Sequence, residues 1–474
     1  MLMDMLLRTP LPRSRFAVVL STACLLMGAM AMGPQPAVGQ DLYVDASNTS
    51  CPGSGTSGDP YCSIQTAVDN ASTGDVIDVA AGTYAENVTV STDNLTLQGP
   101  TSGTATLDAT SGTAPGIVVS GTNGATITDL SIQATPAGIV AEDITTTSST
   151  TLTITNNTLT FPGGQEFEDP TASTTGVGND LGEQAIGIQI SDVSGPTAPV
   201  IEDNVIGNTS TPFNGPFYGY ALFDVQADDP TVIEQTTSSS ATINGVQQGV
   251  AVLETDGSTT APSDFRVEGV IMDNFTGTSN VTAINFHAGV YVFTSTLSTP
   301  ITGTIQDVEI RNTGAPQPNS AGLSFSDFGG DDGNTRQNIT VERATLTGND
   351  NRGIYLRGPG ATATVTDSEL TGNGDAPFTA GGNNGYSAIA RNDGNLTIET
   401  SLITGPGSVT TSGSPDDNDL IQISAGGNVT VTRSRLDRNG IGDYITTSGG
   451  GDLDASGNAF ASEGSGVDPR SEER

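Results

Sequence analysis

The chain has no lysine, no tryptophan, one histidine and three cysteines among its 474 residues. Each shortage removes chemistry. Without Lys there is no Schiff base and no phosphate-loop lysine. A lone His287 excludes multi-histidine metal centres and catalytic sets that need two imidazoles. The 15 basic residues are all Arg and face 53 acidic ones, a net charge of −38 with pI near 4.1. Such a surface repels duplex nucleic acid and anionic membranes, so neither is expected as a partner. The economical account of the excess is adaptation to high salt, where a solvated, self-repelling surface resists precipitation.

The N-terminus reads as an export signal. Arg8, Arg13 and Arg15 precede an apolar run from Phe16 to Ala31, and Ala37-Val38-Gly39 offers a cleavage site before Gln40. Sixteen apolar residues are short for a bilayer span, so no membrane segment is expected after cleavage. Export puts Cys51 and Cys62, which flank a Gly/Pro/Ser loop, in an oxidising compartment, where they are expected to form one disulfide. A secreted, periplasmic or cell-surface monomer is the expected product.

Internal repeats dominate the remainder. One phrase is a short β-branched strand, a polar pair, another apolar residue, then Gly or Asn; examples are ATITDLSI (125–132), ATINGV (241–246), GTIQDVEIRN (303–312) and NVTVTRSRLDRN (428–439). Its first apolar positions are Ile127, Ile154, Ile201, Ile243, Val267, Ile305, Val341, Val365, Ile398 and Val431, with a shortest step of 24 residues. A second phrase is Gly followed by period-2 alternation: GIVAED (138–143), GIQISD (187–192), GVAVLE (249–254), GVYVFT (289–294), GLSFSD (322–327) and GIYLRG (353–358). Short half-buried strands with Gly and Asn at corners needing positive φ describe the coils of a parallel β-solenoid. The N-x-T/S sequons fall mostly at strand starts and fit the repeat better than glycosylation. One segment departs: SIQTAVDNAS (63–72) places Ile64, Ala67, Val68 and Ala71 on one helical face behind Ser63 as N-cap, and predicts a helix covering the open end of the core.

The order DLYVDAS, then SIQTAVDNASTGDVIDVAAGTYAENVTV, then NLTLQG resembles the N-terminal part of the right-handed parallel β-helix proteins of the pectin lyase-like superfamily, and the later repeats match that superfamily's generic repeat over about 41–460. The resemblance implies an all-β, right-handed parallel β-helix of about 11–13 coils. The expected organisation is a signal peptide (1–39), a cap with the disulfide loop and helix (40–86), the β-helix (87–460) and a polar tail (461–474). The superfamily holds lyases, hydrolases, esterases and proteins without activity. GTYAEN (82–87) is similar to a pectin esterase segment, but the later Gln-Asp and Asp-Phe-Gly motifs are missing. GGDDGN (329–334) is similar to the paired aspartates of polygalacturonases, but their neighbouring Cys, Gly-His-Gly and Arg-Ile-Lys segments are missing. Lysine-dependent lyases are excluded by the composition.

Aligning the second phrase on its Gly brings a candidate site together. Tyr291 and Tyr355 fall two residues after their glycines, Arg357 four after, with Arg391 matched to it in the next coil; Asp192, Glu254 and Asp327 fall five after, and Asp331 and Asp332 follow in the adjoining loop. Aromatic faces that stack on sugars and Arg forks that grip carboxylates suit an acidic polysaccharide. Asp327, Asp331 and Asp332 could hold a hard cation such as calcium, or act as paired carboxylates. The sequence makes no cofactor certain, and calcium is the one in view. The acidic loop DDND (416–419) and His287 read as surface or packing features. Three readings follow: a non-catalytic binder of polysaccharide or another cell-surface polymer, a divergent lyase or hydrolase of acidic glycans, and a structural or adhesive envelope protein. The 12 arginines beyond the export signal begin only at Arg266, which directs any anionic ligand to the later coils.

Overall fold

The computed structural model describes residues 39–111, 114–134, 137–161, 186–207, 218–236, 242–246, 248–253, 264–273, 275, 288–294, 300–313, 320–329, 334–349, 352–373, 389–392, 394–405, 420–424, 428–437, 445–448 and 452–460. The expected export signal and polar tail, Glu254, His287, Asp331, Asp332 and the 416–419 loop lie outside them.

Three long sheets carry the chain. The first has 14 strands, from Asp41–Val44 to Leu453–Asp454; the second has 13, from Val88–Val90 to Ile445–Ser448; the third has 13, from Gly82–Tyr84 to Ala459–Phe460. The chain visits the first, third and second sheet in turn, then returns to the first one rung further on. Neighbouring strands within each sheet pair in parallel, as with Ile305, Val341, Val365, Ile398 and Val431, which follow one another on the first sheet. This is the parallel β-helix the repeats imply, right-handed in the sense that parallel strand crossovers take.

Period-2 alternation builds it. In Ala361–Thr366 every second side chain is buried, and the inward Ile, Val and Leu residues of all three sheets join one continuous core. Each contributes roughly 2 kcal/mol relative to exposure. Among described residues no helix is long and apolar enough to cross a membrane.

One repeat assignment needs correcting. Ile243 does not belong to the first-sheet ladder: it pairs with Ile206 and Met272 on the third sheet, while Ile233 stands between Ile201 and Val267 on the first. The Asn-Gly after Ile243 imitates the phrase, but its strand is the second of its coil. The steps 42 and 24 thereby become 233 − 201 = 32 and 267 − 233 = 34.

The corners also differ from the simple expectation. Between the first and third sheets the left-handed residue is the second of the polar pair: Asp129, Asn156, Asp203, Asp307, Arg343, Asp367, Thr400 and Arg433 all have φ between 50° and 58°. Asn and Asp tolerate this conformation; Arg343 does not intrinsically, and its guanidinium donates Nε and Nη2 to the Asp307 carboxylate one rung back at 2.7 and 2.6 Å. Asn312, Gly348 and Gly372 do take positive φ at the ends of their phrases. The asparagines after the glycines turn inward: Asn349 Nδ2 donates to Asn373 Oδ1 at 2.8 Å, and both side chains are fully buried.

The helix forms over Ile64–Asn70, with the Thr66 amide donating to the Ser63 hydroxyl and Ile64, Ala67 and Val68 buried in the core. It packs against Asp41–Val44 and Val88–Val90, the outermost strands of two sheets. Glu86, unnoticed in the sequence, accepts the Ile64 and Gln65 amides at 2.8 and 3.0 Å and satisfies the helix start. Cys51 and Cys62 form the expected disulfide.

Candidate functional site

The glycines of the second phrase stack into a ladder along the second sheet. A Cβ on Gly116, Gly138, Gly187, Gly219, Gly249, Gly289 or Gly322 would meet the carbonyl oxygen of the next glycine at 2.9 Å or less, so the backbone of each coil lies directly on its neighbour. Gly219 escaped the sequence alignment because the apolar run after it, YALF, hides the alternation. The ladder sets a common register for everything that follows each glycine.

That register places side chains on the outer face of the sheet in rows. One row runs Ala251, Tyr291, Ser324, Tyr355 and the next runs Leu253, Phe293, Ser326, Arg357. Tyr291 and Tyr355 share a row as the alignment required, separated by Ser324. Tyr291 packs with Phe293 into a second, outer apolar cluster around Tyr218, Phe223 and Leu253.

The aromatic groups form a track. The Tyr291 and Phe293 rings lie 6.2 Å apart, and Phe293 and Phe328 lie 5.4 Å apart. The Arg357 guanidinium sits 4.2 Å above the Phe328 ring, which is 47% exposed. The buried Arg352 lies 4.5 Å over the Tyr355 ring. Burial raises the Tyr291 phenol above its ordinary pKa, with Arg357 opposing and Tyr355 adding to the shift, so it stays protonated at neutral pH. Burial pulls Arg352 below its ordinary value.

One expected ligand does not belong to the open face, and another is out of register. Asp327 is buried: its carboxylate accepts Arg336 Nη1 at 3.2 Å, the Gly360 and Gly329 amides at 2.9 and 3.1 Å, and the Thr294 hydroxyl at 3.3 Å. Those partners fill the lone pairs that a cation or substrate would need. Arg391 misses Arg357 by one residue, pairing with Leu356 and Ile423 while Asn392 pairs with Arg357. Among described residues no three acidic, His or Cys side chains converge on a metal site.

Phe293, Phe328, Arg352 and Ser324 were missed in the sequence. Phe293 had a signal, since it stands four residues after Gly289 as Arg357 does after Gly353. Phe328, just past a strand end, had none.

The arginines sort by partner. Arg266, Arg311, Arg336, Arg343 and Arg433 each meet a carboxylate. Arg357, exposed and on its ring, meets none among the described residues.

Asp192 stands beside Asp224, flanked by the pairs Ser191–Phe223 and Val193–Val225. Burial, then Asp224 and Asp143, raises its pKa. A carboxyl raised on folding is costless below the ordinary carboxylate range and destabilises as pH climbs through it. Asp192→Asn, which keeps the left-handed backbone (φ 52), is therefore expected to stabilise the fold at pH 7 by a few tenths of a kcal/mol. The gain should vanish near pH 3 and shrink in molar salt, where only the repulsion by Asp224 and Asp143 is screened; equal gains in urea titrations at pH 7 and pH 3 would contradict it.

The chain is thus a parallel β-helix whose later coils carry an outward track of aromatic rings and arginines. No family model matches it, and no curated protein is similar enough to count as a relative. Solved structures resemble it in fold at low identity. A mutant of the periplasmic alginate epimerase AlgG is 9% identical over 82% of this chain and 84% of its own, with TM-score 0.39. The GH136 lacto-N-biosidase from Eubacterium ramulus, as its selenomethionine derivative, is 8% identical over 89% and 67%, with TM-score 0.36. The A-module of the mannuronan C-5 epimerase AlgE4 from Azotobacter vinelandii is 11% identical over 85% and 93%, with TM-score 0.28.

Proposed function

We propose that this is an exported protein that binds an acidic polysaccharide, without cleaving it, along the track Tyr291, Phe293, Phe328 and Arg357. The observation that carries this is Arg357: in a chain with 53 acidic residues, its guanidinium rests on an exposed ring and meets no carboxylate among the described residues. A guanidinium on an aromatic face keeps its edge donors for a planar anion, and the neighbouring rings offer apolar faces to sugar C–H groups. The net charge of −38 opposes an acidic polymer at long range. In molar salt the screening length falls to about 3 Å, so that repulsion is lost while direct contacts persist. The acidity then fits a saline working environment. Burial of Asp327 with Arg336 supports binding over catalysis, because it removes a carboxylate from the face.

Retention of the mature chain on immobilised polyuronate in 1–2 M NaCl tests the reading. Wild type is expected to be retained and a neutral dextran matrix to let it pass. Arg357→Ala should weaken retention about tenfold, the worth of a charged hydrogen bond. Failure of the wild type to bind would sink the reading. Release of unsaturated or reducing ends from the polymer would replace it with an enzyme.

A further inference from the structure

We infer that hydrolysis of the Gly39–Gln40 bond turns the first residue of the fold into an ion-pair anchor, the new α-ammonium of Gln40 pairing with the buried carboxylate of Asp75. In the uncut chain that nitrogen is a neutral amide, and it already donates to Asp75 Oδ1 at 2.7 Å. Asp75 is 6% exposed, and its other oxygen accepts the Ser72 amide at 2.7 Å. The Gln40 carbonyl accepts the Val76 amide at 3.0 Å, so Gln40 is held from both sides at the start of Asp41–Val44. Cleavage consumes one water and leaves a carboxylate on the released segment and an amine on Gln40. That amine is mostly protonated at neutral pH. It needs no new room, because it is the existing nitrogen with Gly39 gone.

The place of the pair gives it weight. Asp41–Val44 is the end strand of the first sheet, and its one strand neighbour there is Val76–Val79. In a fold of stacked coils an end rung has one neighbour to hold it and opens more readily than the interior. Asp75 immediately precedes Val76–Val79, so the ion pair ties the two strands together at their common start. The hydrogen bond exists before cleavage, and cleavage adds the charge. For a partly exposed pair that Coulomb attraction is worth about a factor of five in the folding equilibrium. The same pair guards the chain end. An N-terminal Gln cyclises when its unprotonated amine attacks Cδ and expels ammonia, and a carboxylate that holds the nitrogen as ammonium opposes this. With no Lys in the sequence, the α-amine is the one primary amine of the processed chain and can be modified selectively.

The test uses the mature chain beginning at Gln40, in about 0.1 M NaCl, where the screening length is about 10 Å. Acetylating the amine in urea and refolding keeps the N–H and deletes the charge. Acetylation is expected to lower the folding equilibrium constant about fivefold in urea titrations, and to change nothing in Asp75→Asn. An amine-reactive ester should label the folded wild type about tenfold more slowly than the urea-unfolded chain, the effect of one pKa unit on the amine. In Asp75→Asn the two labelling rates should converge, and loss of ammonia from Gln40, read by mass, should be faster than in wild type. If Asp75→Asn does not fold, the wild-type measurements decide. Equal folding of the free and acetylated chains, or equal labelling of folded and unfolded wild type, overturns the inference. So does a processed chain, made from the full-length protein in an exporting host, whose N-terminus is not Gln40. Polymer binding is independent of this amine and is read separately through Arg357→Ala.

Discussion

Asp327→Ala is expected to destabilise the protein by about 3–5 kcal/mol, the cost of breaking a buried ion pair. Asp327 and Arg336 side chains are 0% and 3% exposed at 3.2 Å separation, so the arginine cannot reach water when its partner is removed. The same carboxylate accepts two backbone amides, Gly329 and Gly360, which would also lose an acceptor. Asp327→Asn keeps one oxygen and should fall between the two. Combining Asp327→Ala with Arg336→Ala should recover part of the loss, because the buried cation goes with its counterion while the amides stay unsatisfied. Urea unfolding followed by circular dichroism measures all three. If the single alanine costs under 1 kcal/mol, the pair is not the anchor described. Phe328 follows Asp327 directly, so polymer retention should fall with the anchor even where the chain remains folded.

Gly289→Ala should cost about 3 kcal/mol, against the general tendency of Gly→Ala in a compatible backbone to stabilise by about 0.4–1 kcal/mol. The added Cβ would stand 2.6 Å from Ile310 Cγ2 and 2.7 Å from the Gly322 carbonyl oxygen. Neither neighbour can yield: one is core and the other is backbone of the next coil. In a fold where each coil contacts only its neighbours, the damage stays local. Denaturation should therefore split into two transitions as the coils beyond the defect uncouple. Gly58, where a Cβ meets nothing within 4 Å, is the control and should be neutral or slightly stabilised by alanine. Matching curves for the two variants would refute the close-stacking account.

Much of this architecture is local enough to be legible in the chain. Alternation of Ile, Val and Leu with Thr, Ser and Asp has a period of two, and only strands bury such a pattern on one side. Its recurrence with Gly and Asn punctuation implies stacked coils, and the helix, its Ser63 cap and the Cys51–Cys62 pair were readable for similar reasons. The glycine alignment also brought Tyr291 and Tyr355 to one row, because the ladder fixes register from a residue that can be seen in the sequence.

What lay beyond local pattern was decided by stacking. Ile243 and Ile233 have the same chemistry, and only the length of chain around each corner assigns them to different sheets. Arg391 looked equivalent to Arg357 until the pairing placed it one residue away. Asp327 looked like a ligand because it leads into the loop of Asp331 and Asp332, yet two residues after the core residue Phe325 it has inward parity, and its carboxylate is spent on Arg336 and Gly360, nine and 33 residues further on. Phe328 becomes a platform only when Arg357, a coil later, lies across it. The opening arithmetic of 15 arginines against 53 acids identified the later coils as the place for an anion. Which arginine is available there depends on partners brought together across rungs, and no property of the arginine's own segment encodes that.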